Sequence, residues 1–244
     1  SSQSVSGPLI AMNTMLADSL NWIADKLEAE LKGGKDAATA TLAVLKVVME
    51  QHGNAVFGGD GYSSDWHKAA VEERGLKNLP TSADALPELL SPEVAGLFER
   101  TGVLSPVELH SRFEVYAEQY VNSIDVEAKL MINMATTIIY PAAVTYLSEL
   151  SATAGSLQEL GITLDNAVAK SIAAEANALM AAVGKLSEAS AKHDFTSVQD
   201  HMRFLADTVR ELMNEVRAHA DTLETLISDE MWPLPKYSEM LFIK

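Results

Sequence analysis

Between Val198 and Leu226 the apolar positions alternate spacings of four and three: Val198, Met202, Leu205, Val209, Leu212, Val216, His219, Leu223 and Leu226. A stripe this regular predicts a long α-helix lying against another helix, because a 3.5-residue repeat keeps one face on its partner over many turns. A strand cannot use it, since its side chains change face at every residue. The partner precedes it: Val168, Ile172, Leu179, Val183 and Leu186 recur at helical spacing over about Leu164 to Ala191. The two patterns, the second over about Asp194 to Ser228, predict a long antiparallel hairpin.

The rest of the chain is also helical in pattern. Leu9, Met12, Leu16, Leu20, Ile23, Leu27 and Leu31 form one apolar face of a helix that starts at Pro8, a residue suited to a first turn because its missing N–H has no partner there. The face is expected to point inward. Gly33-Gly34 ends that helix, and Asp36 caps a second one to about Gln51 with Leu42, Leu45, Val48 and Met49 as its buried set. A glycine-rich loop, four Gly over 53–61, leads into a helix from about Ser64 to Glu73 stopped at Gly75. Ser91-Pro92 and Ser105-Pro106 each read as a capping serine followed by a first-turn proline. From Ser105 a pattern through Leu109, Phe113, Tyr116, Tyr120, Leu130, Met134 and Ile138 runs to about Leu150, with Pro141 expected to kink or divide it. Ser151 to Gly161 reads as a loop, and Trp232-Pro-Leu-Pro-Lys-Tyr as an extended tail, because two prolines restrict it and their neighbours. The expected fold class is all-α, with residues 1–150 as one part and 151–244 as a hairpin with its tail.

Charge narrows the function. Thirty-four Asp and Glu against 18 Lys and Arg give a net charge of −16, which repels phosphate backbones and anionic lipid, so neither nucleic acid nor membrane is an expected partner. The most apolar stretch, Leu130 to Leu147, is broken by Asn133, three Thr and Pro141, and no membrane span is expected. With no cysteine, disulfides, thiolate nucleophiles and Cys-bound zinc are excluded, and a cytoplasmic location fits. The opening Ser-Ser-Gln-Ser-Val-Ser-Gly-Pro has neither an initiator Met nor a basic region leading into an apolar run. The expectation is a stretch of something longer.

No nucleotide-binding glycine motif occurs. Gly58-Gly59-Asp60-Gly61 has no basic neighbour before Lys68 and reads as a tight turn. None of His52, His67, His110, His193, His201 and His219 has a Glu three residues before it, and no two stand at i, i+4, so neither a di-iron nor a helical zinc site is supported. His110 and Glu114 read as a surface pair, His219 as a neutral imidazole hydrogen-bonded across the hairpin, and Phe113, Tyr116 and Tyr120 as core. Glu108, Glu114, Glu118, Asp125 and Glu127 read mostly as solvated helix faces. No catalytic, cofactor-binding or metal-ligating residue is identified.

Several segments, in order, resemble type III glutamine synthetase. GDGYSSDWHKAAVEERGLKNLPTSADALPELL, over Gly59 to Leu90, is similar to that family's GDGYS-x-x-W, RGL-x-NL and DALP segments. GVLSPVELHSRFEVYAEQY, Gly102 to Tyr120, resembles its ELHSR(Y/F)E helix, and Ile124 to Ala142 the continuation ending in Pro-Ala. WPLPKYSEMLF, Trp232 to Phe242, is similar to its C-terminal WP-x-P-x-Y-x-x-(L/M)-LF. SSQSVSGP resembles the serine-rich segment after the family's active-site strand, although Pro8-Leu9 stands where the family usually has Pro-Asn.

The resemblance implies a parent enzyme that joins glutamate and ammonia with ATP through γ-glutamyl phosphate, using divalent Mg or Mn, in stacked homo-oligomeric rings. It implies that the metal, phosphate and ATP residues lie outside this chain, so the chain alone is expected to be inactive and structural, with no cofactor of its own, and its first helix is then expected to expose an apolar face built to cover the catalytic sheet. The rival expectation is a free-standing acidic helical scaffold, motivated by the heptad seam.

Overall fold

A computed structural model of the chain describes residues 4–241, and among them every regular element is helical. Contacts divide the chain into two compact units between Tyr116 and Ala117.

The first unit holds α1 (Ser6–Lys32), α2 (Ala37–His52), α3 (Ser64–Glu72), α4 (Ser82–Ala85), α5 (Pro92–Arg100) and the beginning of α6 (Pro106–Met134), with 3₁₀ turns at Gly53–Ala55 and Leu86–Leu90. Its caps follow the sequence. The Asp36 carboxylate accepts from the Ala38 and Thr39 amides, Ser63 from Trp66 N–H, and Ser91 from Val94 N–H. Gly34, Gly75 and Gly102 end helices with φ of 91°, 66° and 68°, where a Cβ would be strained.

Burial in this unit departs from the amphipathic reading. The face of α1 expected to point inward is largely open: Leu9, Met12, Leu16 and Leu20 are each more than half exposed, and Thr14 is the buried residue of that helix. In α2, Ala40 and Val44 are buried, whereas Leu42, Leu45 and Met49 are exposed.

The second unit is a bundle built on the predicted hairpin. It contains the rest of α6, a π-turn at Ala135–Ile139, α7 (Tyr140–Glu159), α8 (Ala167–Ser190), α9 (Val198–Phe204), a second π-turn at Leu205–Val209, α10 (Arg210–Leu226) and α11 (Tyr237–Leu241). Met202, Leu205, Val209, Val216 and Leu223 are buried against Ile172, Leu179, Val183 and Leu186, so the seam is filled from within the chain; Val168 is half exposed. Lys185 meets Glu215 at 2.7 Å and Glu175 meets His219 at 2.8 Å, cross-links that fix the antiparallel sense. Ile172, Leu179, Leu186, Met202 and Leu223 are 0% exposed, and each such side chain is worth about 1.5–3 kcal/mol of burial.

Helical structure continues from Pro106 to Glu159, past the expected loop at Ser151. Leu147, Leu150, Ala154 and Leu157 keep helical spacing and partial burial along α7, which packs on α8, and the stop comes at Gly161 with φ 77°. Pro141 is accommodated by the π-turn just before it, where the Tyr140 amide reaches back to the Ala135 carbonyl and widens the turn at which the ring would otherwise clash. The buried stripe of α6 in this unit is Ala117, Tyr120, Val121 and Ala128, continued by Ala135 and Ile139 of the π-turn; Leu130, expected inside, is half exposed. By length and composition the Pro106–Glu159 run is apolar enough to cross a membrane, with an 18-residue window of mean hydropathy 1.4, contrary to the sequence reading. A bundle helix meets the same criteria. After α10 the chain has no regular structure to Lys236; Trp232 is buried, and α11 starts at Tyr237, where the expected extended tail is instead helical. Phe242 of the tail motif lies outside the described residues.

Candidate functional site

In the first unit the Ser105 cap determines where α6 points its side chains. Ser105 Oγ accepts from Glu108 N–H at 3.3 Å, while the Glu108 carboxylate accepts from the Ser105 amide and hydroxyl, both at 2.8 Å. These bonds, the backbone one foremost, hold the Glu108 carboxyl below its ordinary pKa, assisted by the charge of Arg112 one turn on. With that turn fixed, Leu109, Arg112 and Tyr116 share a helix face and line a cavity of about 210 Å³. Ile10 of α1, Leu86, Leu89, Phe98 of α5 and Leu104 complete its apolar walls. The Tyr116 ring lies so close to Gly7 that a Cβ there would come within 2.6 Å of the phenol oxygen.

The second feature of this unit is the apolar face of α1 and α2. Arg100 grips Asp18 through two hydrogen bonds of 2.9 and 2.6 Å, tying α5 to α1 and, with the Arg100 hydrogen bond as the main cause, lowering the pKa of Asp18. Trp22 meets His52 edge-on at 6.0 Å, tying α1 to α2. Leu9, Met12, Met15, Leu16 and Leu20 of α1, with Leu42, Leu45 and Met49 of α2, are left exposed on this frame. That many large apolar side chains on two adjoining helices is the signature of a contact surface.

The glycine cluster is the tight turn expected. Asp60 accepts from Tyr62 N–H at 2.9 Å, and His67 Nε2 is 3.1 Å from the Gly61 carbonyl oxygen. Sequence reasoning missed what anchors this loop: Phe57 stacks on Trp66 at 3.7 Å, Arg74 lies over both rings, and its guanidinium donates to the Val56 carbonyl at 2.8 Å. Only the pairing of distant aromatics could have revealed it.

Of the six histidines, His110 stands 3.6 Å from Glu114 on the surface, as expected, and His219 Nδ1 contacts Glu175 across the hairpin. His201 is the one in an unforeseen setting. Its ring stacks on Phe195 at 4.2 Å, its Nε2 is buried with no hydrogen-bond partner among the described residues, and Lys192 caps Phe195 and Phe204 beside it. Burial holds its pKa below the ordinary value, with Asp125 opposing and His193 reinforcing the shift. Phe113 and Tyr120 are core; Tyr116 is half-buried at the cavity. Among the described residues no group of three His, Asp or Glu is placed to hold a metal ion.

Residues 40–158 match the family described as the glutamine synthetase C-terminal domain. The whole chain aligns with the type-3 glutamine synthetase of Dictyostelium discoideum at 35% identity, covering 34% of that protein, and with a glutamine synthetase of Bacteroides fragilis at 28% identity, covering 35%. A glutamine synthetase of Butyrivibrio fibrisolvens is 32% identical over 82% of the chain, which there covers 29% of the relative. The chain thus spans about a third of the length of the curated relatives it matches.

Proposed function

We propose that this chain, which belongs to the type-3 glutamine synthetase family as a C-terminal fragment, serves a glutamate–ammonia ligase as a docking and bracing element, outside the catalytic machinery. The parent reaction joins glutamate and ammonia at the expense of ATP through γ-glutamyl phosphate, with Mg or Mn neutralising the transferring phosphate. The donor set of the chain does not fit a metal: carboxylates and imidazoles are dispersed over helix faces and nowhere meet in threes among the described residues. We assign no step of the chemistry to these residues; that ATP and metal are bound by the remainder of the enzyme is part of the proposal and is supported by the family resemblance.

The observation that carries this reading is the open apolar face of α1 and α2. Side chains of this size, more than half exposed on a helix fixed by the Arg100–Asp18 pair, have a partner in a longer polypeptide three times the length of this chain. Residues 1–150 then close the catalytic domain, and 151–244 brace the homo-oligomeric rings, in a cytoplasmic enzyme. The scaffold alternative loses its motive, because the heptad seam is occupied by α8 and is not available to another helix.

The test is the double substitution Leu16→Asp and Leu20→Asp in the intact protein. The expected result is loss of both the large assembly and glutamine formation, with helical content retained. Full activity in an unchanged particle would overturn the docking role.

A further inference from the structure

Two donors on the cavity of the first unit, Arg112 and Tyr116, make no side-chain hydrogen bond or ion pair among the described residues, although the Arg112 charge is felt by Glu108 one turn away. Arg112 has no carboxylate within ion-pair distance among the described residues, on a chain with 34 acidic side chains. Glu108, the nearest acid along its helix face, already accepts from Ser105 twice. The half-buried Tyr116 hydroxyl likewise has no hydrogen-bond partner among the described residues. Arg112 and Tyr116 are one turn apart on α6, so their N–H and O–H groups converge on the same space. Gly7 and Pro8, in the first turn of α1, line that space too. The first amide of that helix, Ser6 N–H, already donates to Ser4 Oγ at 3.2 Å, and Pro8 has no N–H, so the site rests on the two side chains. Arg112 and Tyr116 therefore favour an anion at one end, while Leu86, Leu89, Phe98, Leu104 and Leu109 offer only hydrocarbon at the other.

We propose that this cavity binds a small monocarboxylate with a short apolar tail, the head group held by the Arg112 fork and the Tyr116 hydroxyl, the tail among the leucines and Phe98. A guanidinium matches a carboxylate with two parallel hydrogen bonds, and a phenol O–H adds a third from the side. A dicarboxylate such as glutamate is excluded by the apolar walls, since its second charge would be buried without a counter-ion. The inference goes beyond the ligase reading and rests on none of the substrates of that reaction.

The test is calorimetric titration of the intact protein with hexanoate, hexanamide and glutamate, repeated on Arg112→Gln and on Ala11→Leu. Arg112 is exposed and Ala11 only lines the cavity, so helical content, followed by circular dichroism, serves as the folding control. Hexanoate is expected to saturate one site, with affinity reduced about tenfold or more by Arg112→Gln, as for a charge-assisted hydrogen bond, and abolished by Ala11→Leu, which fills the space. Hexanamide should bind weakly and be indifferent to Arg112→Gln, and glutamate should leave the site empty. Absence of saturable hexanoate binding, or binding that neither substitution alters, overturns the proposal. Because glutamine formation is not the readout, failure here leaves the docking role of the chain standing.

Discussion

Replacing Leu186 and Leu16 by alanine separately distinguishes a side chain the fold uses from one it leaves for a partner. Leu186 is 0% exposed in the hairpin. Its truncation removes three carbons from a packed core and leaves a void, a change that costs about 2–5 kcal/mol. Leu16 is 59% exposed on α1. A leucine side chain is worth about 1.5–3 kcal/mol when fully buried, so two-fifths shielding leaves roughly 1 kcal/mol at stake. No cavity forms at an open face, and alanine is the better helix former. Leu16→Ala is therefore expected to cost under about 1 kcal/mol, half or less of the Leu186→Ala cost. Urea unfolding of the 244-residue chain, followed by circular dichroism at 222 nm, measures both. Equal losses, or a larger one for Leu16→Ala, would show that the α1 face is buried within the chain and would refute the inference that it awaits another part of the enzyme.

The pH dependence of the second unit should carry the signature of His201. Its folded pKa is depressed by burial, so the unfolded chain takes up the proton first. Stability is full above the unfolded value near 6.5 and declines as pH falls towards the folded pKa; His201→Gln should flatten that decline in a urea-midpoint series from pH 8 to 5, and an unchanged slope would contradict the assignment. Asp36→Ala removes the acceptor for the Ala38 and Thr39 amides and should destabilise α2 by about 1 kcal/mol, read as faster amide exchange in its first turn. Gly161→Ala forces a φ of 77° on a residue with a side chain, at a cost of about 1–2 kcal/mol in the same unfolding assay.

The hairpin was the most legible part of this molecule. Its seam is a property of one stripe of side chains, and the stripe that fills it lies in the preceding helix, so periodicity alone identifies both. For the first helix periodicity alone gave an inward face and the family resemblance an exposed one, and the exposed one holds; for the second the inward reading fails at Leu42, Leu45 and Met49. An amphipathic pattern in α1 reports that a partner exists, but it does not say that the partner lies in the same 244 residues, and Leu9, Met12, Leu16 and Leu20 turned out exposed. Composition misled at 151–161, where Ser, Thr and Gly suggest a loop while Leu150, Ala154 and Leu157 continue the buried stripe. Two buried positions of α6, Ala117 and Ala128, are alanines, which a search for large apolar residues passes over in favour of Leu130. The cavity site was half visible. Arg112 and Tyr116 stand at i, i+4, but their lack of partners follows from the Glu108 cap and from which residues of α1 come near, neither of which a spacing rule contains. Likewise His201 gains its burial from Phe195, which approaches only once the turn between α8 and α9 has formed.

The central claim is that these helices are part of a ligase much longer than 244 residues, joined through the α1–α2 face. The most direct measurement is the mass of the native polypeptide that carries this chain, detected with an antibody to it in a source lysate fractionated by size beside glutamine-forming activity. A polypeptide about three times the mass of this 26.3 kDa chain, co-eluting with the activity in a large particle, is the predicted result. A polypeptide near 26.3 kDa, separated from the activity, would contradict it.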